Sequence, residues 1–252
     1  MKPRILGIET SGTIGGFALV EGERVLAEVT SDITGRHVEK GAAMIEYVLE
    51  SGQMTPDDLA GVAVSLGPGS FTGLRVGLAL AKGICFGRGL PLLGVPTLDC
   101  MAEAFALSEG LVAPVKDARR GEIYFGLYRA SHGQVTRLAE YRALSPDLAI
   151  DEIEEKIPSG GRVLLVGDAL SKYGDMFHSR LGPRALAAPE LAWPVRPGIV
   201  AALGSRMLAE GKIAQLDTVE PIYVRSSEAE RKATRFVARG RDRDRDKKDE
   251  GK

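Results

Sequence analysis

Short apolar runs separated by glycine-containing turns open the chain and predict three consecutive antiparallel strands. They cover residues 5–8, 16–20 and 24–29, and apolar and polar residues alternate in the third. An amphipathic helix is predicted over residues 37–52, because apolar residues recur there at helical spacing. Its apolar face consists of Val38, Ala42, Ile45 and Leu49, widened by Gly41, Met44 and Val48. The chain therefore begins with three strands and a covering helix.

The next segments alternate strand and helix, as in an α/β protein. A continuous apolar strand at residues 61–66 leads through a glycine-rich turn into a long helix that ends near Gly87, and Ser70 is placed to cap it. From Gly110 onward the pattern of strands and helices partly repeats. The further predicted elements are extended segments at 91–95, 111–116, 122–129, 134–141, 163–166 and 221–224, and helices at 98–107, 146–156, 169–181 and 199–210.

This partial repetition predicts two α/β lobes, residues 1–108 and 109–225, followed by a charged tail, residues 226–252. The length of 252 residues suits two packed halves, and the hydrophobic (44%) and charged (27%) fractions are those of a folded globular protein. From Arg239 onward the tail contains no apolar anchor, so we expect it to be disordered.

Charge and cysteine content exclude several broad classes. The formal net charge of −1 provides no global basic field for nucleic acid or for an anionic membrane. Cys85 and Cys100 both lie in apolar segments, which predicts buried thiols and no disulfide framework. The N-terminal apolar run is too short for a signal peptide, and no run reaches membrane-spanning length, so we expect a cytoplasmic protein.

The most distinctive segment is Gly67-Pro68-Gly69-Ser70-Phe71-Thr72-Gly73, at the junction of a strand and a helix. It lacks the lysine in register that a Walker phosphate-binding loop requires. Two interpretations stay open: the glycines serve a tight turn and close helix packing, or the helix N-terminus contacts an anion or a partner. The Glu9-Thr13 loop is read either as a polar hairpin or as a second source of phosphate contacts. The candidate nucleotide or anion contacts are Thr10, Ser11, Gly69, Ser70 and Thr72.

The helix predicted after this loop is apolar on more than one face, and Arg75 and Lys82 are its only charged residues. A helix that covers a sheet needs only one apolar face, so the second face predicts a subunit interface, with an intramolecular cover as the alternative. The predicted interface residues are Met44, Val48, Val76, Leu80 and Ile84.

Side chains for metal or nucleophilic catalysis are not grouped in the sequence. His37, His132 and His178 are dispersed, and neither a Cys-x2-Cys pair nor a Gly-x-Ser-x-Gly elbow is present. We therefore expect no metal site, no catalytic residue and no required cofactor. The charged stretch from Lys116 to Glu122 fits a solvated turn, with a substrate or partner role as the less favoured interpretation.

Four segments, taken in order, closely resemble the TsaB family of bacteria, also called YeaZ-like proteins. They are Ile5-Leu6-Gly7-Ile8-Glu9-Thr10-Ser11, the segment from Gly67 to Gly77, Asp117-Ala118-Arg119-Arg120-Gly121-Glu122-Ile123-Tyr124 and Glu220-Pro221-Ile222-Tyr223-Val224-Arg225. The paralogous TsaD proteins share the first motif but are longer and carry a metal-binding histidine pair, which is missing here. Position 9 departs from the family, in which aspartate is more frequent than Glu9, and this weakens the case for nucleotide-phosphate chemistry at the loop.

The resemblance implies a two-lobed actin-like, ribonuclease H-like ATPase fold (the ASKHA superfamily) that has lost its catalytic equipment. It implies a partner subunit for formation of N6-threonylcarbamoyladenosine at position 37 of ANN-decoding tRNAs, as a heterodimer with TsaD assisted by the ATPase TsaE. Alone, the chain would form a homodimer through the helices of its first lobe, and tRNA would be contacted mainly through the complex. Weak nucleotide binding at a subunit interface stays open. The alternatives are a stand-alone glycopeptidase-like hydrolase and an actin-like small-molecule kinase.

Removal of the tail from Arg239 onward should leave the melting temperature unchanged, because a segment without apolar residues buries no surface. The measurement is a thermal unfolding curve of the truncated chain beside that of the full-length chain. A decrease of several degrees would show that the tail packs, since roughly 1 kcal/mol corresponds to about 2–4 °C at this size.

Overall fold

The computed structural model describes residues 2–32 and 37–224, with the backbone alone for residues 37–40. Five strands form a first sheet in which the three N-terminal strands are antiparallel and the last two run parallel to the first. Their order across the sheet is β3-β2-β1-β4-β5. The bounds are β1 Arg4–Glu9, β2 Ile14–Glu21, β3 Arg24–Asp32, β4 Gly61–Gly67 and β5 Leu92–Pro96.

Helices α1 (His37–Ser51) and α2 (Phe71–Arg88) cover one face of the first sheet. Helix α2 begins where the Ser70 hydroxyl accepts a hydrogen bond from the Gly73 amide at 3.2 Å, and it ends at Gly89, in the left-handed conformation. Among the described side chains and glycines of α1, Gly41, Val48 and Leu49 are buried, whereas the predicted Ala42 is exposed, and Val38 lies outside the described side chains. The core under both helices contains Leu6, Ile8, Phe17, Leu19, Val62 and Val64.

A second sheet contains the remaining seven strands, five of them in the order β10-β7-β6-β11-β12, with β8 and β9 extending it beside β6. The bounds are β6 Gly110–Arg119, β7 Glu122–Phe125, β8 Tyr128–Ser131, β9 Gln134–Arg137, β10 Arg142–Leu144, β11 Val163–Val166 and β12 Ala185–Ala187. Helices α4 (Pro146–Lys156) and α5 (Leu170–Leu181) pack together against its outer face. The predicted bounds of α4 and β11 are confirmed.

The single strand predicted over residues 122–129 is wrong, because the structure divides it into β7 and β8. Both strands pair antiparallel with β6 and keep the same register across the break, with Phe125 opposite Val115 and Tyr128 opposite Val112. The break lies opposite Pro114, which has no amide hydrogen to donate to the ladder. The Gly126 amide still donates to the Pro114 carbonyl at 3.3 Å, so the backbone stays close to β6 across the break.

Helices α3 (Thr97–Glu103) and α6 (Pro197–Ala209) lie in a layer between the two sheets. Although α6 comes late in the sequence, it packs on the first sheet, across β1, β2, β4 and β5. Gly204 permits this approach, because a β-carbon there would lie 2.4 Å from the Ala63 β-carbon. Helix α3 is tied to the second sheet by Asp99, whose Oδ1 accepts hydrogen bonds from the Tyr128 and Tyr141 hydroxyls at 2.8 and 2.6 Å.

Several other elements differ from the predicted ones. Strand β9 ends at Arg137, within the strand predicted over residues 134–141, and β6 continues to Arg119, beyond the predicted end at residue 116. Strands β10 and β12 have no predicted counterpart. Helix α3 ends at Glu103, before the predicted end at residue 107, and residues 221–224 do not form a strand, although the Ile222 amide donates to the Leu66 carbonyl at 2.7 Å. The predicted division at residue 108 stays a prediction, and the predicted tail lies outside the described residues. No helix in the described part of the chain is long and apolar enough to cross a membrane.

Candidate functional site

The glycine-rich loop is packed against the loop that joins β1 and β2. The Ser70 amide donates to the Ser11 carbonyl at 2.8 Å. A β-carbon at Gly69 would lie 2.4 Å from that carbonyl oxygen, and one at Gly73 would lie 2.0 Å from the Thr10 carbonyl oxygen. At Gly77 the added atom would lie 2.1 Å from the Thr10 hydroxyl. Close packing against the β1–β2 loop therefore accounts for Gly69, Gly73 and Gly77, and Ser70 is the helix cap.

The five candidate nucleotide or anion contacts differ in accessibility. Thr10 and Ser11 are only 1% and 2% exposed, and the glycines of α2 cover Thr10. Ser70 and Thr72 are exposed at the start of α2, and Gly69 is half-buried. The structure thus joins Thr10, Ser11, Gly69 and Ser70 into one packed junction and leaves Thr72 on its surface. An anion contact at this junction stays a prediction.

Glu9, which ends β1, is a buried carboxylate beside this junction. It is 1% exposed, and its Oε1 accepts a hydrogen bond from the Ser11 amide at 2.6 Å. Its Oε2 has no hydrogen-bond partner among the residues that the structure describes. Burial raises the pKa of Glu9, because removal from water disfavours the charged form. Glu9 is therefore a buried carboxyl group whose Oε2 atom is available to accept a further hydrogen bond.

Glu9 lines a cavity of about 180 Å³ between the first-sheet junction and the second sheet. The cavity walls include Ser11 and Gly12 from the β1–β2 loop, Lys116 from β6, Asp168 after β11, and Glu190 and Trp193 before α6. The sequence places Glu9 and Lys116 in separate loops and does not predict that both line one cavity. The position of Glu9 at the carboxyl end of β1 could have indicated the cavity, because ligands of α/β sheets bind outside the carboxyl ends of strands.

The charged stretch after Lys116 forms the turn between β6 and β7. Arg119 and Arg120 adopt the left-handed conformation, with φ of 65° and 58°. Asp117 organises the turn: its Oδ1 accepts from the Arg119 amide at 2.8 Å, and its own amide donates to Asp168 Oδ1 at 2.9 Å. The turn is thereby connected to the rim of the cavity.

The predicted interface residues mostly surround an apolar groove on the outer face of α2. Its lining consists of Arg75, Val76, Ala79, Leu80, Gly83 and Ile84. Phe86, one turn further along, is 85% exposed. Four of the predicted interface residues are half-buried, namely Met44, Val76, Leu80 and Ile84. Val48 lies on the inner side of α1, is fully buried and has no surface for a partner to contact. Four of the five predicted residues are thus accessible on the α1–α2 face, and their role as an interface stays a prediction.

Replacement of Gly73 by alanine should destabilise the fold, because the new methyl group would overlap the Thr10 carbonyl oxygen. We expect a loss of about 1–3 kcal/mol in the free energy of unfolding, measured by denaturant or thermal unfolding. Gly83→Ala is the matched control in the same helix, because no described atom outside the helix's own backbone lies within 4 Å of the added carbon. The control should gain roughly 0.5–1 kcal/mol from helix propensity. Equal effects of the two substitutions would contradict the packing explanation.

Replacement of Glu9 by glutamine should change how stability depends on pH. A carboxyl group whose folded-state pKa is raised contributes stability below its unfolded-state pKa and loses that contribution as pH rises through the folded-state pKa. The stability of Glu9→Gln relative to the parent should therefore be higher at pH 8 than at pH 4. Urea unfolding of both chains across this range measures the difference. A difference that is constant with pH would contradict the assignment.

Comparison with known proteins agrees with the fold and with the motifs. The family model of TsaD, tRNA N6-adenosine threonylcarbamoyltransferase, matches residues 24–233. The tRNA threonylcarbamoyladenosine biosynthesis protein TsaB of Bacillus subtilis (strain 168) is 30% identical over 228 residues, covering 90% of this chain and 96% of the relative. TsaB of Escherichia coli (strain K12) is 28% identical over 233 residues, covering 91% and 97%.

Among solved structures, YeaZ from Pseudomonas aeruginosa matches with a TM-score of 0.72 at 22% identity, covering 88% of this chain and 99% of that one. The predicted actin-like α/β fold class is thereby confirmed. The resemblance that the four segments indicated is confirmed by relatives that align along nearly the whole of both chains. The chain therefore belongs to the TsaB family.

Proposed function

We propose that this chain acts in tRNA threonylcarbamoyladenosine biosynthesis as a non-catalytic subunit that docks on a TsaD-type transferase. Membership of the TsaB family supports a role in this biosynthesis, because the TsaB relatives from two bacteria are named for tRNA threonylcarbamoyladenosine biosynthesis. The match of residues 24–233 to the TsaD family model supports a common fold for the two partners. The ATPase TsaE is the third component of the proposed complex.

The observation that carries the docking proposal is the apolar groove on α2. The groove has a volume of about 550 Å³, and of the six residues that line it only Arg75 is charged. Phe71 and Phe86 are exposed towards the two ends of the helix, and the Arg75 guanidinium lies 4.0 Å from the centre of the Phe71 ring. Exposed apolar surfaces that are rich in aromatic residues are typical of protein interfaces.

One surface then serves two partners. In the absence of the transferase, a second copy of the chain covers the α1–α2 face through a closed two-fold interface. The same groove cannot be buried twice, so the homodimer and the heterodimer compete. An excess of the transferase should convert homodimers into heterodimers.

The function is tested by reconstitution of tRNA modification from this chain, TsaD and TsaE, with each component omitted in turn. Modified tRNA should form only when this chain and TsaD are both present. Peptide hydrolysis or phosphorylation of a small molecule by this chain alone would favour the stand-alone hydrolase or kinase instead. Full modification without this chain would contradict the proposal.

Leu80→Glu should weaken both dimers, because it places a charge in the centre of the groove. A cost of a few kcal/mol corresponds to a decrease of about a hundredfold or more in affinity. The measurements are light scattering of the isolated chain and modification activity with TsaD and TsaE. Leu148→Glu is the matched control, since Leu148 is exposed on α4, away from the groove.

Leu80 also packs against α1, so its substitution can disturb folding. Ala79→Glu separates the two effects, because Ala79 lines the groove and is exposed. If both folded variants still dimerise and support modification at the level of the control, the groove is not the interface.

A further inference from the structure

The cavity beside Glu9 is lined by a carboxyl group and an ammonium group that form no salt bridge within the described part of the chain. The Glu9 Oε2 atom is buried without a hydrogen-bond partner in the described part of the chain. Lys116 is half-buried on the wall of the same cavity, and the described residues include no carboxylate within 4 Å of its Nζ. Glu9 and Lys116 interact electrostatically but make no salt bridge within 4 Å of each other. They therefore face the cavity from separate positions.

The two groups destabilise the folded protein unless a molecule in the cavity forms hydrogen bonds with them. A buried charged or polar group without a partner loses its hydration and gains no compensating hydrogen bond. Lys116 Nζ lies beside the β1–β2 loop, 3.9 Å from where a β-carbon of Gly12 would stand. The cavity needs an occupant with a donor for Glu9 and an acceptor for Lys116.

We propose that this cavity binds a small zwitterion of the α-amino-acid type, with its ammonium group on Glu9 and its carboxylate on Lys116. An α-amino acid carries both charges on one short frame, so one molecule satisfies both side chains. The site is separate from the α1–α2 face, and the proposal does not depend on the proposed function.

The size of the cavity selects for a small molecule. Its volume of about 180 Å³ exceeds by several times the roughly 30 Å³ that one water occupies in the liquid. It is smaller than the roughly 300–1,000 Å³ of pockets for drug-sized ligands. Asp168 and Glu190 on its walls add negative charge, which opposes a phosphate group and favours an ammonium group.

Trp193 supplies an apolar wall for the side chain of the ligand. Its ring is fixed in place, because its Nε1 donates to the Ala188 carbonyl at 2.8 Å. Pro194 and Val195 continue this wall. Trp193 is also the only tryptophan of the chain, so its fluorescence reports directly on the occupancy of the cavity.

The test is a fluorescence titration of the full-length chain with L-alanine, checked by calorimetry. Ethylamine and propionate are matched controls, because each is alanine without one of its two charged groups. We expect saturable binding of L-alanine with a Kd of about 1 mM or tighter. Each control compound should bind roughly tenfold more weakly or not at all, since a charge-assisted hydrogen bond is lost. Glycine and L-serine extend the series by size and polarity.

Two variants test which side chain binds the ammonium group of the ligand and which binds its carboxylate. Glu9→Gln and Lys116→Met should each weaken L-alanine binding by roughly tenfold or more, while circular dichroism shows the fold unchanged. Lys116 is half-buried at the cavity wall, so Lys116→Met tests the site even if Glu9→Gln does not fold. The proposal is overturned if no zwitterion of the series changes the Trp193 signal or gives heat at about 10 mM. Equal binding of L-alanine, ethylamine and propionate, or unchanged binding in a folded Lys116→Met chain, would overturn it as well.

Discussion

The contact between the β1–β2 loop and the start of α2 is the constraint on which the rest of the structure depends. Backbone atoms of Thr10 and Ser11 lie so close to Gly69 and Gly73 that no side chain fits between them. This contact sets where α2 begins and how it crosses the sheet. It also sets which face of α2 is turned outward. The groove of the proposed interface and the position of Glu9 both follow from it.

A glycine-rich turn before a helix is often associated with phosphate binding, yet here most of its glycines are used for packing. The difference lies in where the missing side chains would point. At Gly69, Gly73 and Gly77 they would point into the chain's own β1–β2 loop. A loop that bound phosphate through these glycines would have to leave that space open for the ligand. The motif therefore marks a close approach within the fold, and the chemistry that it suggests by analogy does not follow from it.

Local patterns were sufficient to predict the elements of the first sheet and the ends of α4 and β11, because amphipathic spacing and capping residues are local properties. They missed β10 and β12, which have only three residues each and are too short to show a period. They were insufficient for the break between β7 and β8, which arises from Pro114 on the opposite strand. They were equally insufficient for the cavity, since Glu9 and Lys116 are far apart in sequence and are brought together by the packing of two sheets. Val48 was assigned to an interface from helical spacing alone, which does not distinguish a buried face from a docking face.

The position of α6 has a consequence for the order in which the protein is assembled on the ribosome. All five strands of the first sheet are complete once Pro96 has been synthesised, but the helix that covers their inner face ends only at Ala209. During the intervening synthesis, the apolar side chains on that face have no permanent cover. Contacts between such distant parts of a chain form slowly, and unprotected sheet faces aggregate. Newly made chains are therefore expected to depend on chaperones until the C-terminal segment arrives.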